Sequence, residues 1–311
     1  MKTSAIVLTE PRRLSLASVA LRAPQPRDAV VEVEFSGISQ GTERMLWDGS
    51  MPPFPGMGYP LVPGYEAVGR VVEAGAESGR EVGERVFVPG ARCYEEVNGL
   101  FGGSASVLVV EGARCVRLPE GLGEAGVLLA LAATARRVVA GSAAPELIVG
   151  HGVLGRLIAR IAVAERHAPP VVWEREVLRR GGARGYEVIE EASDARRDYA
   201  VIVDASGRDD AIDAGVSRLG KGGEIVLAGF YAARIGFAFP AAFMAEARIR
   251  VSAEFAPADM AAVIGMVEGG RLSLDGLISH RRAAADAPEA YATAFGDPAC
   301  LKMILDWKDA A

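Results

Sequence analysis

An α/β chain is predicted, in which a parallel sheet wound on both faces by helices is inserted in a mostly β domain. Three observations predict it. Short β-type runs broken by Gly and Pro give way near Leu122 to Ala- and Leu-rich segments that alternate with strand-like runs. A glycine-spaced turn joins one of those runs to an amphipathic segment, and after Leu277 the chain returns to short elements. With 311 residues, 50% of them hydrophobic, there is apolar material for two cores, one formed by residues 1–120 with 277–311 and one by 121–276.

In the first part the β-type runs are SAIVL, AVVEVEFSG, EAVGRVVEAG, ERVFVPG, SASVLVVEG and RCVRLP, spaced as in a compact β domain. In the middle they are ELIVG, PPVVWE, YAVIVDAS and GGEIVLAGF, separated by helical texture, the signature of parallel strands with helical crossovers. The chain ends in CLKMILDWK, which reads as a helix. Net charge is −6, with no basic stripe, so nucleic acid and acidic membrane surfaces are excluded as partners. The longest apolar stretch, 126–135, is too short to cross a bilayer. Cys93, Cys115 and Cys300 are far apart and lack C-x-x-C spacing, as expected of reduced thiols in a cytoplasmic protein.

The strongest motif is ELIVGHGVLGRLIARIA. Gly150, Gly152 and Gly155 form G-x-G-x-x-G directly after a β-branched strand and before an amphipathic helix, the Rossmann arrangement for a dinucleotide. The first glycine permits the turn, the second admits a pyrophosphate, and the third lets helix and strand pack. His151, Val153 and Leu154 complete the loop, and the helix start offers free N–H groups to phosphate. Glu174 closes the next strand, VVWE, at a spacing suited to the adenosine ribose, which favours NAD over NADP. Arg175, Arg179 and Arg180 beside it keep NADP open, as cations that can grip an extra phosphate. VIVDASG and IVLAGFY read as the fourth and fifth strands of this region, with Ala205, Ser206, Gly229 and Phe230 at their cofactor-facing ends.

The order VPGYEAVGRVVEAG, EVGERVFV, FGGSASVLV, LAATARRV, the glycine loop, GKGGEIVLAG and LISH…CLKMIL resembles the medium-chain dehydrogenase/reductase superfamily over essentially the whole chain. The resemblance implies a barrel-like, GroES-like catalytic domain interrupted by the Rossmann domain. It also locates three zinc-ligand positions of the metal-dependent branch, and all three depart here. The first falls on Ser39 or Gln40 in GISQGTE, the second on Tyr65 in GYE, and the third near Ala132 and Ala133. Only Glu66 among them is a natural ligand, so no bound metal is expected. Proton transfer then passes to Tyr65, with Ser39, Thr42 and Glu66 as its expected neighbours, or Tyr65 simply fills the space the metal has left. His151 is expected at phosphate or backbone, His280 in a structural hydrogen bond, and His167 in an exposed loop.

Between the first two ligand positions lies MLWDGSMPPFPGMGYPLVPGYE, a stretch of Met and aromatic side chains among prolines, read as a stiffened loop rather than a helix. Here the chain resembles the narrower family of bacteriochlorophyllide a dehydrogenases. That resemblance implies NAD-dependent oxidation of a 3-(1-hydroxyethyl) group on a chlorin or bacteriochlorin pigment to 3-acetyl. It assigns Met45, Trp47, Met51, Phe54, Met57 and Tyr59 to the flat macrocycle. Arg136, with Arg44 and Arg137 as alternatives, becomes the candidate for the pigment's propionate. The competing readings are a zinc-free NADPH quinone or enone reductase and a non-catalytic NAD(P)- or pigment-binding protein. A homodimer paired through the region of IVLAGFY and IGFAFP is also expected.

Overall fold

The computed structural model describes residues 1–311 apart from Phe54, Ser142, Ala232, Ala233, Asp309 and Ala311. The chain divides into two compact units, Met1–Ala130 with Leu277–Ala311, and Leu131–Gly276. Among the described residues no helix is long and apolar enough to cross a membrane.

The first unit is mostly β. Strands β1 (Lys2–Glu10) and β2 (Arg13–Ala20) form an antiparallel pair. A second sheet contains β3 (Asp28–Ile38), β4 (Ala67–Ala74), β5 (Arg85–Val88), β6 (Val107–Glu111) and β7 (Val116–Arg117). Helix α1 (Thr42–Asp48) lies between β3 and β4 in sequence. The six β-type runs of the first part all form strands, because Val and Ile at alternate positions pack onto one core.

The second unit holds α2 (Leu129–Ala140, from Leu131), β8 (Leu147–Val149), α3 (Val153–Ala164), β9 (Val171–Trp173) and β10 (Glu187–Ile189). There follow β11 (Tyr199–Asp204), α4 (Ala211–Val216), β12 (Leu219–Leu227), α5 (Phe239–Ala245), β13 (Arg248–Val251) and α6 (Pro257–Glu268). Its six strands run parallel in the order β10-β9-β8-β11-β12-β13. The order reverses between β8 and β11, and the carboxyl ends of strands beside such a switch point form a ligand crevice.

The return segment adds β14 (His280–Ala283), α7 (Ala287–Gly296) and β15 (Met303–Asp306) to the first unit. CLKMILDWK is thus not a helix as expected. Met303, Ile304 and Leu305 are buried in a strand between β14 and β3, and a strand covered on both faces is apolar throughout, which hides the period of two.

Candidate active site

In the second unit the fully apolar β8 ends at Gly150, whose φ of 100° lies in the left-handed region that favours glycine. A Cβ on Gly155 would stand 1.9 Å from the Gly150 carbonyl oxygen, so only glycine lets α3 approach the strand. A Cβ on Gly152 would meet nothing within 4 Å, which leaves the loop open on the side a pyrophosphate approaches. No side chain caps α3 at Gly152, so its first N–H groups remain for an anion. These residues fit a dinucleotide.

Glu174, at the end of β9, is buried. Its Oε2 accepts the His151 N–H at 2.9 Å and its Oε1 accepts the Glu176 N–H at 2.8 Å, so the carboxylate is fixed against the glycine loop. Beside it runs the 3-10 turn Val177–Arg179. Arg180 donates to the carbonyls of Glu174 and Arg175 and lies 3.3 Å from Glu190, so its guanidinium is engaged within the segment. The His151 ring does not face a phosphate. It is wholly buried between the Arg179 carbonyl and the Tyr186 hydroxyl, leaving only the residue's backbone at the loop.

The ends of β11 and β12 close on the same turn. Ala205 donates its N–H to Val149, and a Cβ on Gly150 would lie 3.1 Å from Ser206 Cα. The Ser206 hydroxyl donates to Asp204 at 2.6 Å, and Tyr231 also donates to Asp204, so that hydroxyl shapes the turn. Gly229 packs against Gly207, and Phe230 is exposed. On α3, Val153 is buried and Leu154 half-buried.

In the first unit, Ser39 at the end of β3 and Tyr65 before β4 meet directly, Oγ to hydroxyl at 2.6 Å. Thr42 lies beside the same phenol, and the Tyr65 ring stands edge-on to Phe101. Burial, with the charge of Glu66 next to it, holds the phenol well above its ordinary range, so Tyr65 is a neutral hydroxyl rather than a phenolate. Glu66 does not join this group. Both its oxygens accept from Lys302 Nζ, at 3.0 and 2.8 Å, and Lys302 also donates to the Ile38 carbonyl.

These residues do not fit zinc. Two oxygens bound to one tetrahedral zinc at ~2.0–2.2 Å stand about 3.3 Å or more apart, whereas the Ser39 and Tyr65 oxygens are in mutual hydrogen-bond contact. Gln40 is turned to the carbonyls of Ala294 and Cys300, and Ala132 and Ala133 are buried methyl groups. Among the described residues no group of three His, Cys, Asp or Glu side chains could hold a metal.

The apolar stretch differs from its expectation. Its first part is helical, since Met45, Leu46 and Trp47 lie on α1, and Gly49 in the left-handed conformation ends that helix. Met45 and Met51 are buried with Leu8, Leu46, Leu61 and Leu100 in a small core of their own, which withdraws both from a macrocycle. Trp47, Met57 and Tyr59 are half-buried against that core, and Tyr59 donates to the Leu46 carbonyl. Trp47 stacks against Phe295, with the Arg12 guanidinium 5.6 Å from its ring. Phe54 lies outside the described residues. Arg136 pairs with Glu165 at 2.5 Å within the second unit, which occupies it as a propionate partner. Arg44 is exposed and has no ion pair among the described residues.

Three buried residues near Ser39 and Tyr65 escaped sequence reasoning. Lys302 had one visible signal, a single cation inside an otherwise apolar run. Glu43 accepts the Ser39 N–H at 3.1 Å and the Tyr291 hydroxyl at 2.7 Å, and burial pushes its carboxyl up to about 7. Nothing in the sequence pairs Glu43 with Tyr291, 248 positions away.

Residues 25–120 match the alcohol dehydrogenase GroES-like domain family. The chain is 55% identical, over all of both chains, to the 2-desacetyl-2-hydroxyethyl bacteriochlorophyllide A dehydrogenase of Rhodobacter capsulatus, and likewise 55% identical over full length to that of Cereibacter sphaeroides. A short chain alcohol dehydrogenase from E. coli, solved with cofactor NADH, superposes with a TM-score of 0.83 at 21% identity, covering 98% of this chain and 99% of that one. The chain is therefore an oxidoreductase of the medium-chain dehydrogenase/reductase superfamily and belongs to its bacteriochlorophyllide dehydrogenase family.

Proposed function

We propose that the protein oxidises the 3-(1-hydroxyethyl) group of a bacteriochlorophyllide or chlorophyllide to 3-acetyl, giving NADH and a proton, as a step of bacteriochlorophyll synthesis. The full-length 55% identity to two dehydrogenases of that name carries the reading. Residues 121–276 bind the dinucleotide, and 1–120 with 277–311 bind the pigment.

The bound nicotinamide supplies the hydride acceptor. Gly150, Gly152, Gly155 and the N–H groups of Val153 and Leu154 receive the pyrophosphate, Ala205, Ser206, Gly229 and Phe230 border the cofactor, and Glu174 takes the ribose hydroxyls. NAD is favoured over NADP because Glu174 would repel a 2′-phosphate while Arg180 is already engaged. In the first unit, Ser39, Tyr65 and Thr42 form a short hydroxyl chain that holds the substrate alcohol and passes its proton on. Glu66 with Lys302 supports this chain from behind as a neutralised pair. Trp47, Met57, Tyr59 and Phe54 are the side chains left for the macrocycle, and the exposed Arg44 replaces Arg136 as the partner of its propionate.

The protein acts in the cytoplasm as a homodimer. Its three cysteines are free and buried. Strand β13, with Val251 71% exposed, closes one edge of the parallel sheet, and helix α5 exposes Phe239 (66%), Phe243 (66%) and Met244 (74%), apolar side chains that a second copy would cover. The pairing expected at IGFAFP thus moves to β13, because residues 235–238 form no strand.

The deciding experiment mixes the protein with NAD⁺ and a 3-(1-hydroxyethyl) chlorin. NADH absorbance should rise as the pigment band shifts toward the acetyl product. Active, folded protein that reduces quinones with NADPH and leaves the pigment unchanged would overturn the assignment.

A further inference from the structure

We propose that His151 is a specificity-determining residue for the dinucleotide, because its buried ring ties the arginine-bearing segment 175–180 to the glycine loop and so keeps Glu174 set against a 2′-phosphate. This rests on the NAD reading above.

The ring is fixed at both nitrogens. Nδ1 lies 2.7 Å from the Arg179 carbonyl oxygen, which only accepts, so Nδ1 carries the proton. Nε2 is then a lone pair, and it accepts the Tyr186 hydroxyl at 2.9 Å. Burial beside Arg156 and Arg160 pushes the imidazole down to about 4, so this neutral tautomer holds across the physiological range.

Each end of the lock has a second attachment. Arg156, from α3, donates to the Arg179 carbonyl at 2.8 Å and to the His151 carbonyl at 3.0 Å, bridging the same two segments. Tyr186 also lies against Arg160, whose Nη1 donates to the carbonyls of Ser273 and Asp275 at 2.9 and 3.0 Å. The glycine loop, the basic turn and segment 273–275 are therefore joined through one buried path.

Selectivity follows from what this path immobilises. The backbone N–H of His151 holds Glu174 Oε2 while the ring of the same residue holds the Arg179 carbonyl, so the carboxylate and the basic turn are fixed to one residue of the loop. The same ring holds the turn that carries Arg175, Arg179 and Arg180. A 2′-phosphate would meet the fixed negative charge of Glu174, and the arginines could compensate only if the turn moved. Releasing Arg179 frees that movement.

The test is titration of NAD⁺ and NADP⁺, without pigment, into the wild type and the variants His151→Ala, His151→Asn and Tyr186→Phe, read by intrinsic fluorescence. A wild type with no preference for NAD⁺ would refute the NAD reading itself, separately from the lock. Given that preference, His151→Ala should weaken NAD⁺ binding about tenfold while NADP⁺ binding holds or improves. Tyr186→Phe should move the ratio of the two affinities about threefold in the same direction. His151→Asn, which keeps a donor for the Arg179 carbonyl, should retain most of the preference. Should His151→Ala fail to fold, Tyr186→Phe and His151→Asn decide alone. An unchanged ratio in folded His151→Ala or Tyr186→Phe, or an equal loss of both cofactors, would overturn the proposal.

Discussion

Lys302 directs its ammonium at both oxygens of Glu66, at 3.0 and 2.8 Å, with the two side chains closed to solvent although 236 positions separate them. Removing one partner leaves a charge buried alone. Lys302→Met should cost about 3–5 kcal/mol in urea unfolding, and adding Glu66→Gln should recover most of that loss. A single variant as stable as the wild type would mean that water reaches the site.

Tyr65→Phe deletes the hydroxyl that meets Ser39 and leaves the ring against Phe101. Turnover of the hydroxyethyl pigment should fall by about 10² or more while the KM for NAD⁺ holds. Unchanged turnover would leave Tyr65 as a space-filling residue only.

Glu43 gives a pH signature. Its carboxyl, ordinarily near 4.5, is raised to about 7 in the folded state. Below 4.5 both states hold the proton and Glu43 contributes no pH dependence. Between 4.5 and 7 the folded state keeps a proton the unfolded chain has lost, so stability falls as pH rises, by at most about 3 kcal/mol, and above 7 the loss is complete. Relative to the wild type, Glu43→Gln should therefore gain stability between pH 5 and pH 8 in parallel denaturation curves.

Two glycines of one loop should fail differently. Gly155→Ala places a methyl 1.9 Å from the Gly150 oxygen and should lower the melting temperature with or without cofactor. Gly152→Ala meets only open space in the protein and should melt like the wild type while binding NAD⁺ at least tenfold more weakly, about 1.4 kcal/mol, by calorimetry.

Glu174→Ala should raise the Kd for NAD⁺ by about tenfold or more through lost ribose contacts, without altering pigment binding. An equal effect on both ligands would mean that Glu174 acts through the fold of its loop.

Features set by local pattern were legible in the sequence. Alternating β-branched residues marked β1, β3 and β6, and the glycine spacing marked the β8 to α3 turn with Glu174 beyond it. Partnerships over long separations were not. Nothing local distinguishes a Met that lines a ligand from one that packs on Leu8 and Leu61, which is why Met45 and Met51 were assigned to the pigment. Of the two expectations for His151, phosphate or backbone, its ring meets the second in the Arg179 carbonyl, while its other partner Tyr186, 35 positions on, is not visible in the sequence. The strand at 303–306 read as a helix because burial on both faces erases its alternation.

The placement of β15 between β3 and β14 also sets a timetable. At about 5–20 residues per second, a ribosome reaches Lys302 tens of seconds after Glu66. The whole of residues 131–276 emerges in that interval, while β3 waits for the neighbour that will cover its edge. During synthesis the nascent first unit carries an acid without its cation and a strand without its partner, so chaperones have their longest opportunity there, while the nucleotide-binding unit is being made.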